Sequence, residues 1–134
     1  MKDTSGFPYH LGLLWLRVLM GAGIAYHGYG KVFGGDLSML TQGLVKMGFP
    51  FPEIFAWAAA LSEFLGGICI ALGLFTRPAA FFLFITMSVA AFVVHSKDPF
   101  TTKELALAYG TMAGMLILTG GGDLTVERMI KGRK

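Results

Sequence analysis

Residues 79–94 read AAFFLFITMSVAAFVV, a run without a charged residue and crowded with aromatic and branched side chains from Phe81 to Ile85. One such run in isolation would suit a buried core helix, but the chain holds four comparable stretches. A hydrocarbon core of about 30 Å takes roughly 20 helical residues at 1.5 Å each. Working outward from residues 79–94, segments of about that length fall at 78–96, 53–75, 10–32 and 103–120. Breakers separate them: Gly34-Gly35, the run Phe49-Pro50-Phe51-Pro52, Thr76-Arg77-Pro78 read as a tight turn, Asp98-Pro99, and Gly120-Gly121-Gly122. The expected architecture is all-α, a transmembrane four-helix bundle forming one domain over residues 1–134.

Composition agrees with a lipid solvent. The 134 residues are 54% apolar and 14% charged, against a soluble norm of roughly 45–50% and about 25%. So few polar residues could not coat a water-facing exterior. Lipid asks only that each backbone group be paired within a helix or closed barrel. Lys2 ahead of the first apolar stretch raises the question of a signal peptide. Arg17 interrupts that stretch and no small-residue cleavage site follows it, so a retained first helix is expected.

The net charge of +3 arises from scattered loop charges and a basic tail, not from a stripe beside exposed aromatics, which argues against a nucleic-acid partner. Cys69 is the single cysteine, so intrachain disulfides, a CxxC redox pair and a cysteine zinc site are excluded. With four crossings, Lys2, Arg77, Arg128, Lys131, Arg133 and Lys134 share a side opposite Lys31, Lys46, Lys97 and Lys103. That excess predicts cytosolic termini. Two shorter segments read as interfacial: a helix capped by Asp36 that presents Leu40, Gly43, Leu44 and Met47, and an amphipathic C-terminal tail carrying Val126, Met129 and Ile130.

Charges inside the crossings point to a site. A charged side chain at the bilayer centre costs at least about 2.5–3.5 kcal/mol on insertion scales, so it faces the bundle interior and finds partners. Arg17 and Glu63 are the clearest cases. Counting rise from the outer helix ends places His27 at roughly 9 Å depth, Glu63 at roughly 15 Å and Arg17 at roughly 24 Å. The helical step gathers Arg17, Ile24, Gly28 and Lys31 into one stripe with His27 at its margin. Glu63 is therefore expected to meet Arg17 on the inner side, or His27 through a water on the outer side. His95, Glu104 and Tyr109, with Tyr26, Tyr29 and Lys31, complete an expected outward-opening pocket. A buried Arg17–Glu63 pair that only fixes helix register explains the same residues equally well.

Haem held by His27 and His95 is disfavoured, because their depths differ by most of two turns, and the set His27, Glu63 and His95 lacks a metal-ligand spacing. Ala106, Gly110 and Gly114 permit close helix contact, within the bundle or in a homodimer. No nucleophile triad, phosphate loop or dinucleotide fingerprint is present.

Several of these motifs occur together in one order: Arg17, then Tyr26-His27-Gly28-Tyr29-Gly30-Lys31-Val32-Phe33-Gly34, Gly48-Phe49-Pro50, Glu63-Phe64-Leu65-Gly66-Gly67, Gly73-Leu74-Phe75-Thr76-Arg77-Pro78-Ala79-Ala80, His95 and Glu104-Leu105-Ala106. In order and spacing they resemble the DoxX family over nearly the whole chain. The resemblance implies a four-helix protein of the bacterial or archaeal cytoplasmic membrane. The family name is linked to the membrane subunit of a thiosulfate:quinone oxidoreductase, and some relatives to thiol or oxidative-stress redox partners. A redox role here would need a quinone, a bound cofactor or a partner subunit, since Cys69 alone cannot run a dithiol cycle. Three readings stay open: a quinone-interacting accessory subunit of a membrane oxidoreductase, a small transporter or permeability factor, and a membrane scaffold without catalysis.

Overall fold

The computed structural model describes residues 6–132. Its helices are α1 (Phe7–Phe33), α2 (Asp36–Lys46), α3 (Pro52–Leu72), α4 (Thr76–Val89), α5 (Phe100–Thr119) and α6 (Val126–Ile130). A π-helical turn, Ala90–Val94, continues α4. No strand occurs among the described residues, and the fold is an all-α bundle of four long helices. Lys2, Arg133 and Lys134, which enter the charge count above, lie outside the described residues.

Local chemistry sets the helix ends. Pro8 and Pro52 sit in the first turns of α1 and α3, where a missing N–H leaves no bond unmade. Gly73, at φ 76°, ends α3 three residues before the expected boundary at 75, and its N–H and that of Leu74 both donate to Cys69 O at 2.8 Å. The turn between α3 and α4 is thus Gly73-Leu74-Phe75. Thr76, Arg77 and Pro78, expected as that turn, instead form the first turn of α4, which tolerates proline. Asp36 is the first residue of α2 and Gly35 its cap, in the left-handed conformation that glycine adopts freely.

Packing runs α1 on α3, α3 on α4, and α4 on α5, with α1 meeting α5 more lightly; α2 lies across α3. The α1–α3 contact is the most extensive because glycines bring backbone onto backbone. A Cβ on Gly21 would stand 2.6 Å from Gly67 O and from Ala71 N. Leu13, Met20, Ile24, Ile70, Leu83 and Leu116 fill the centre. Gly110 and Gly114 face Met87 and Phe84 of α4, so this small-residue face packs within the chain.

Much of the exterior is apolar. Trp15, Leu19, Ile54, Phe82, Phe92 and Leu118 all point outward, a surface that needs lipid rather than water. Phe7–Phe33, Pro52–Leu72 and Thr76–Val94 are long and apolar enough to cross a membrane. α5 has the length, at 20 residues, but Lys103 and Glu104 at its start make it less apolar. The chain is a membrane protein. Both described termini, the α3–α4 turn and α6 lie at one end of the bundle, called here the terminal end. The α1–α2 and α4–α5 connections lie at the other, the distal end.

Candidate functional site

The charged residues of α1 and α3 do not pair as their depths suggest. Lys31 Nζ bonds both oxygens of Glu63, at 2.7 and 2.6 Å. Arg17, fully buried, donates from Nη1 to Ile70 O at 3.3 Å and Ala71 O at 3.4 Å, and from Nη2 to Leu124 O. Side-chain direction explains the exchange of partners. Every helical Cα–Cβ bond tilts toward the helix N-terminus. On α1 that tilt sends Arg17 toward the terminal end and Lys31 down into the bundle. On antiparallel α3 it sends Glu63 toward the distal end, away from Arg17 and onto Lys31.

Arg17 therefore completes the fold. The last carbonyls of a helix lack intrahelical partners, and a cation there also meets the negative end of the helix dipole. α3 has no basic residue in its last turn, so Arg17 of α1 supplies one and ties it to the C-terminal segment. His10 reinforces that tie: Asp123 N–H donates to His10 Nδ1 at 3.0 Å, and His10 Nε2 lies 3.3 Å from Asp123 Oδ2. Thr125 Oγ1 caps α6 by accepting from Arg128 N at 3.2 Å.

Lys31 and Glu63 stand beside open volume. Their side chains are 25% and 7% exposed, and together with Ala90 and His95 they line both of two neighbouring hollows, a polar lobe and an apolar lobe. The polar lobe, of about 190 Å³, adds Ile24, His27, Met87, Thr102 and Tyr109. The apolar lobe, of about 300 Å³, adds residues of α2, α3 and α4 that include Leu44, Phe55, Ser62, Phe82 and Thr86. The rings of His27 and Tyr109 meet edge to face at 6.4 Å. Tyr109 Oη fits where a Cβ on position 23 would be, so Gly23 makes room for it. His95 Nδ1 is held 2.7 Å from Asp98 Oδ2. That contact follows the π-helical turn, in which His95 N–H donates to Ala90 O at 2.9 Å; turns of this kind are frequent at functional sites.

Five of the seven residues named from the sequence converge on this cavity: His27, Lys31, Glu63, His95 and Tyr109. Arg17 lies at the other end of the bundle. Glu104 is exposed and lines neither lobe, because the helical step puts it about 140° from Tyr109 around α5. Tyr26 is exposed, and Tyr29 stacks with Phe33 and Phe64 instead. The sequence reading missed Asp98, treated there only as a breaker, although its i,i+3 spacing from His95 was a signal. Ser62, Thr86 and Thr102 gave none. Among the described residues no group of three or more His, Cys, Asp or Glu is placed to hold a metal.

The stretch that carries Arg17, His27, Lys31, Glu63 and His95 lies within residues 12–96, which the DoxX family model matches. The chain belongs to the DoxX family. The match covers most of α1, all of α2 and α3, and α4 with its π-helical turn, and it stops before α5. Relatives at full length include an uncharacterized protein of Haemophilus influenzae, 33% identical over 127 residues and 90% of each chain. Others are the "putative oxidoreductase CatD" of Bacillus subtilis, 28% identical over 94% of this chain and 92% of its own, and the "inner membrane protein YqjF" of Escherichia coli, 28% identical over 90% and 92%. No solved structure matches this DoxX chain.

Proposed function

We propose that this DoxX protein is a redox-associated membrane subunit whose distal cavity binds a lipophilic quinone. The observation that carries the reading is the convergence of Lys31, Glu63, His27, His95 and Tyr109 on one small lobe that shares a wall with an apolar one. Enclosed, mostly apolar volume with a few convergent polar groups is the general form of a small-molecule site.

The residues suit such a ligand. An engineered cavity of about 150 Å³ accommodates benzene, so a polar lobe of about 190 Å³ has room for one ring. Tyr109 Oη and the imidazoles of His27 and His95 supply hydrogen bonds to carbonyl oxygens. Lys31, neutralised by Glu63 through two short bonds, leaves the site without net charge, which favours an uncharged head. A bound quinone would supply the two-electron carrier that a chain with one cysteine lacks. The name of the Bacillus subtilis relative supports an oxidoreductase association. In this reading α5 is the fourth crossing, the termini are cytosolic, and the membrane is the cytoplasmic one, in keeping with the name of the Escherichia coli relative.

The test is native purification followed by mass spectrometry of retained small molecules, repeated with Glu63→Gln. Quinone recovered with the native chain and depleted in the variant supports the reading. Native protein that neither retains quinone nor binds it when it is added rules it out.

A further inference from the structure

The apolar lobe does not end at Ser62. Ala58, Ser62 and Phe82 also line a second hollow, of about 450 Å³, between α3 and α4 on the side toward the terminal end, where Gly66, Cys69 and Pro78 join the wall. The two hollows share this stretch of wall along the α3–α4 seam. Ala58, Ser62, Gly66 and Cys69 follow one another at four-, four- and three-residue steps, which puts them on one face of α3. Their side chains are small, Gly66 faces Leu83 of α4, and Leu61, Leu65 and Phe82 flank the row from positions exposed on the outer surface. From Ala58 to Cys69 the helix rises about 16 Å. Lys31, Glu63 and His95 line the distal hollow, Ser62 lines both, and nothing charged lines the second.

We infer that the α3–α4 groove holds the long apolar tail of the ligand whose head occupies the polar lobe. The substrate class is thereby narrowed to tailed membrane quinones that enter sideways from the bilayer, with the tail passing Ser62 and Gly66 to reach Cys69. The inference rests on the quinone reading above and adds to it a tail site on separate residues. A phospholipid is the poorer occupant, because the bonds from Lys31 to both oxygens of Glu63 cancel the Lys31 charge that a phosphate would need.

Cys69, the single cysteine of the chain, reports on the groove in the native protein without a folding-sensitive variant. The measurement is the rate at which N-ethylmaleimide modifies Cys69 in detergent-purified protein. It is taken alone, with an isoprenoid-tailed ubiquinone, with tail-less duroquinone, and with phosphatidylcholine. Both quinones have fully substituted rings and do not add the thiol. Equilibrium dialysis gives the affinity of each.

The expected result is that both quinones bind, that the tailed one at ten times its Kd slows modification about tenfold, and that duroquinone leaves the rate unchanged. Tailed quinone that binds without shielding Cys69 overturns the groove and leaves the head site standing. Shielding by duroquinone, or equal shielding by phosphatidylcholine, also overturns it. Failure of both quinones to bind ends the inference together with the reading beneath it.

Discussion

The two ends of the bundle bury charge in opposite ways, although the same two helices build both. At the terminal end Arg17 is enclosed and donates to backbone carbonyls of α3 and of the C-terminal segment. At the distal end Lys31 and Glu63 bond each other across a cavity. One cation closes the fold; the other leaves room for a guest. Antiparallel α1 and α3 produce both outcomes, because the backward tilt of helical side chains draws Lys31 and Glu63 together and turns Arg17 away.

The largest effect should come from Arg17. Arg17→Ala removes a donor from three carbonyls, of which Ile70 O keeps the Gly73 N–H, and opens a cavity in a fully buried site, which should destabilise by about 3–5 kcal/mol. Thermal unfolding in detergent reads this, and quinone affinity per folded molecule should stay as it was. A variant of wild-type stability would break the contrast between the two ends.

Next in size is an asymmetry within the distal pair. Lys31→Met strands the more deeply buried Glu63 and should cost about 1–3 kcal/mol. Glu63→Leu leaves Lys31 partly open to the surroundings and should cost less. The double variant should regain stability over Lys31→Met, as replaced buried pairs often do, yet bind quinone weakly. Equal losses from the two single changes would contradict the burial difference.

Smaller still is Gly23→Ala, which puts a methyl group where Tyr109 Oη lies. Tyr109 must swing out of the lobe, so ring affinity should fall about tenfold, or about 1.4 kcal/mol, with little change in unfolding temperature. Asp98→Asn should have the least effect on stability, about 0.2–1 kcal/mol for a partly exposed pair. Its readout is the 15N NMR signature of the His95 tautomer, which the Asp98 carboxylate orients.

The bundle was legible in the sequence because run length and hydropathy depend only on local composition, as the stretch 79–94 shows. Helix ends were less so: Gly73 stops α3 early through a left-handed cap, and Pro78, which suggests a turn, is equally at home in the first turn of α4. Lys31, Glu63, His27, His95 and Tyr109 could be assembled from residue type and depth. The partner of Glu63 could not, since helical rise locates Cα atoms and ignores the direction in which a long side chain leaves the helix. Glu104 was misplaced for the complementary reason that its depth was counted and its angle around α5 was not. The α3–α4 groove was hidden because Ala58, Ser62, Gly66 and Cys69 look like ordinary packing residues until the neighbouring helix is in place.

Two double-mutant cycles with a common member, run by unfolding in one detergent, address the pairing itself. The first combines Glu63→Leu with Lys31→Met, the second Glu63→Leu with Arg17→Met. The structure predicts a coupling of about 1 kcal/mol or more for Lys31 with Glu63, and for Arg17 with Glu63 additivity within about 0.5 kcal/mol, as expected of sites without shared partners. Strong coupling between Arg17 and Glu63 with none to Lys31 would contradict it and return the buried charges to a single register-fixing pair.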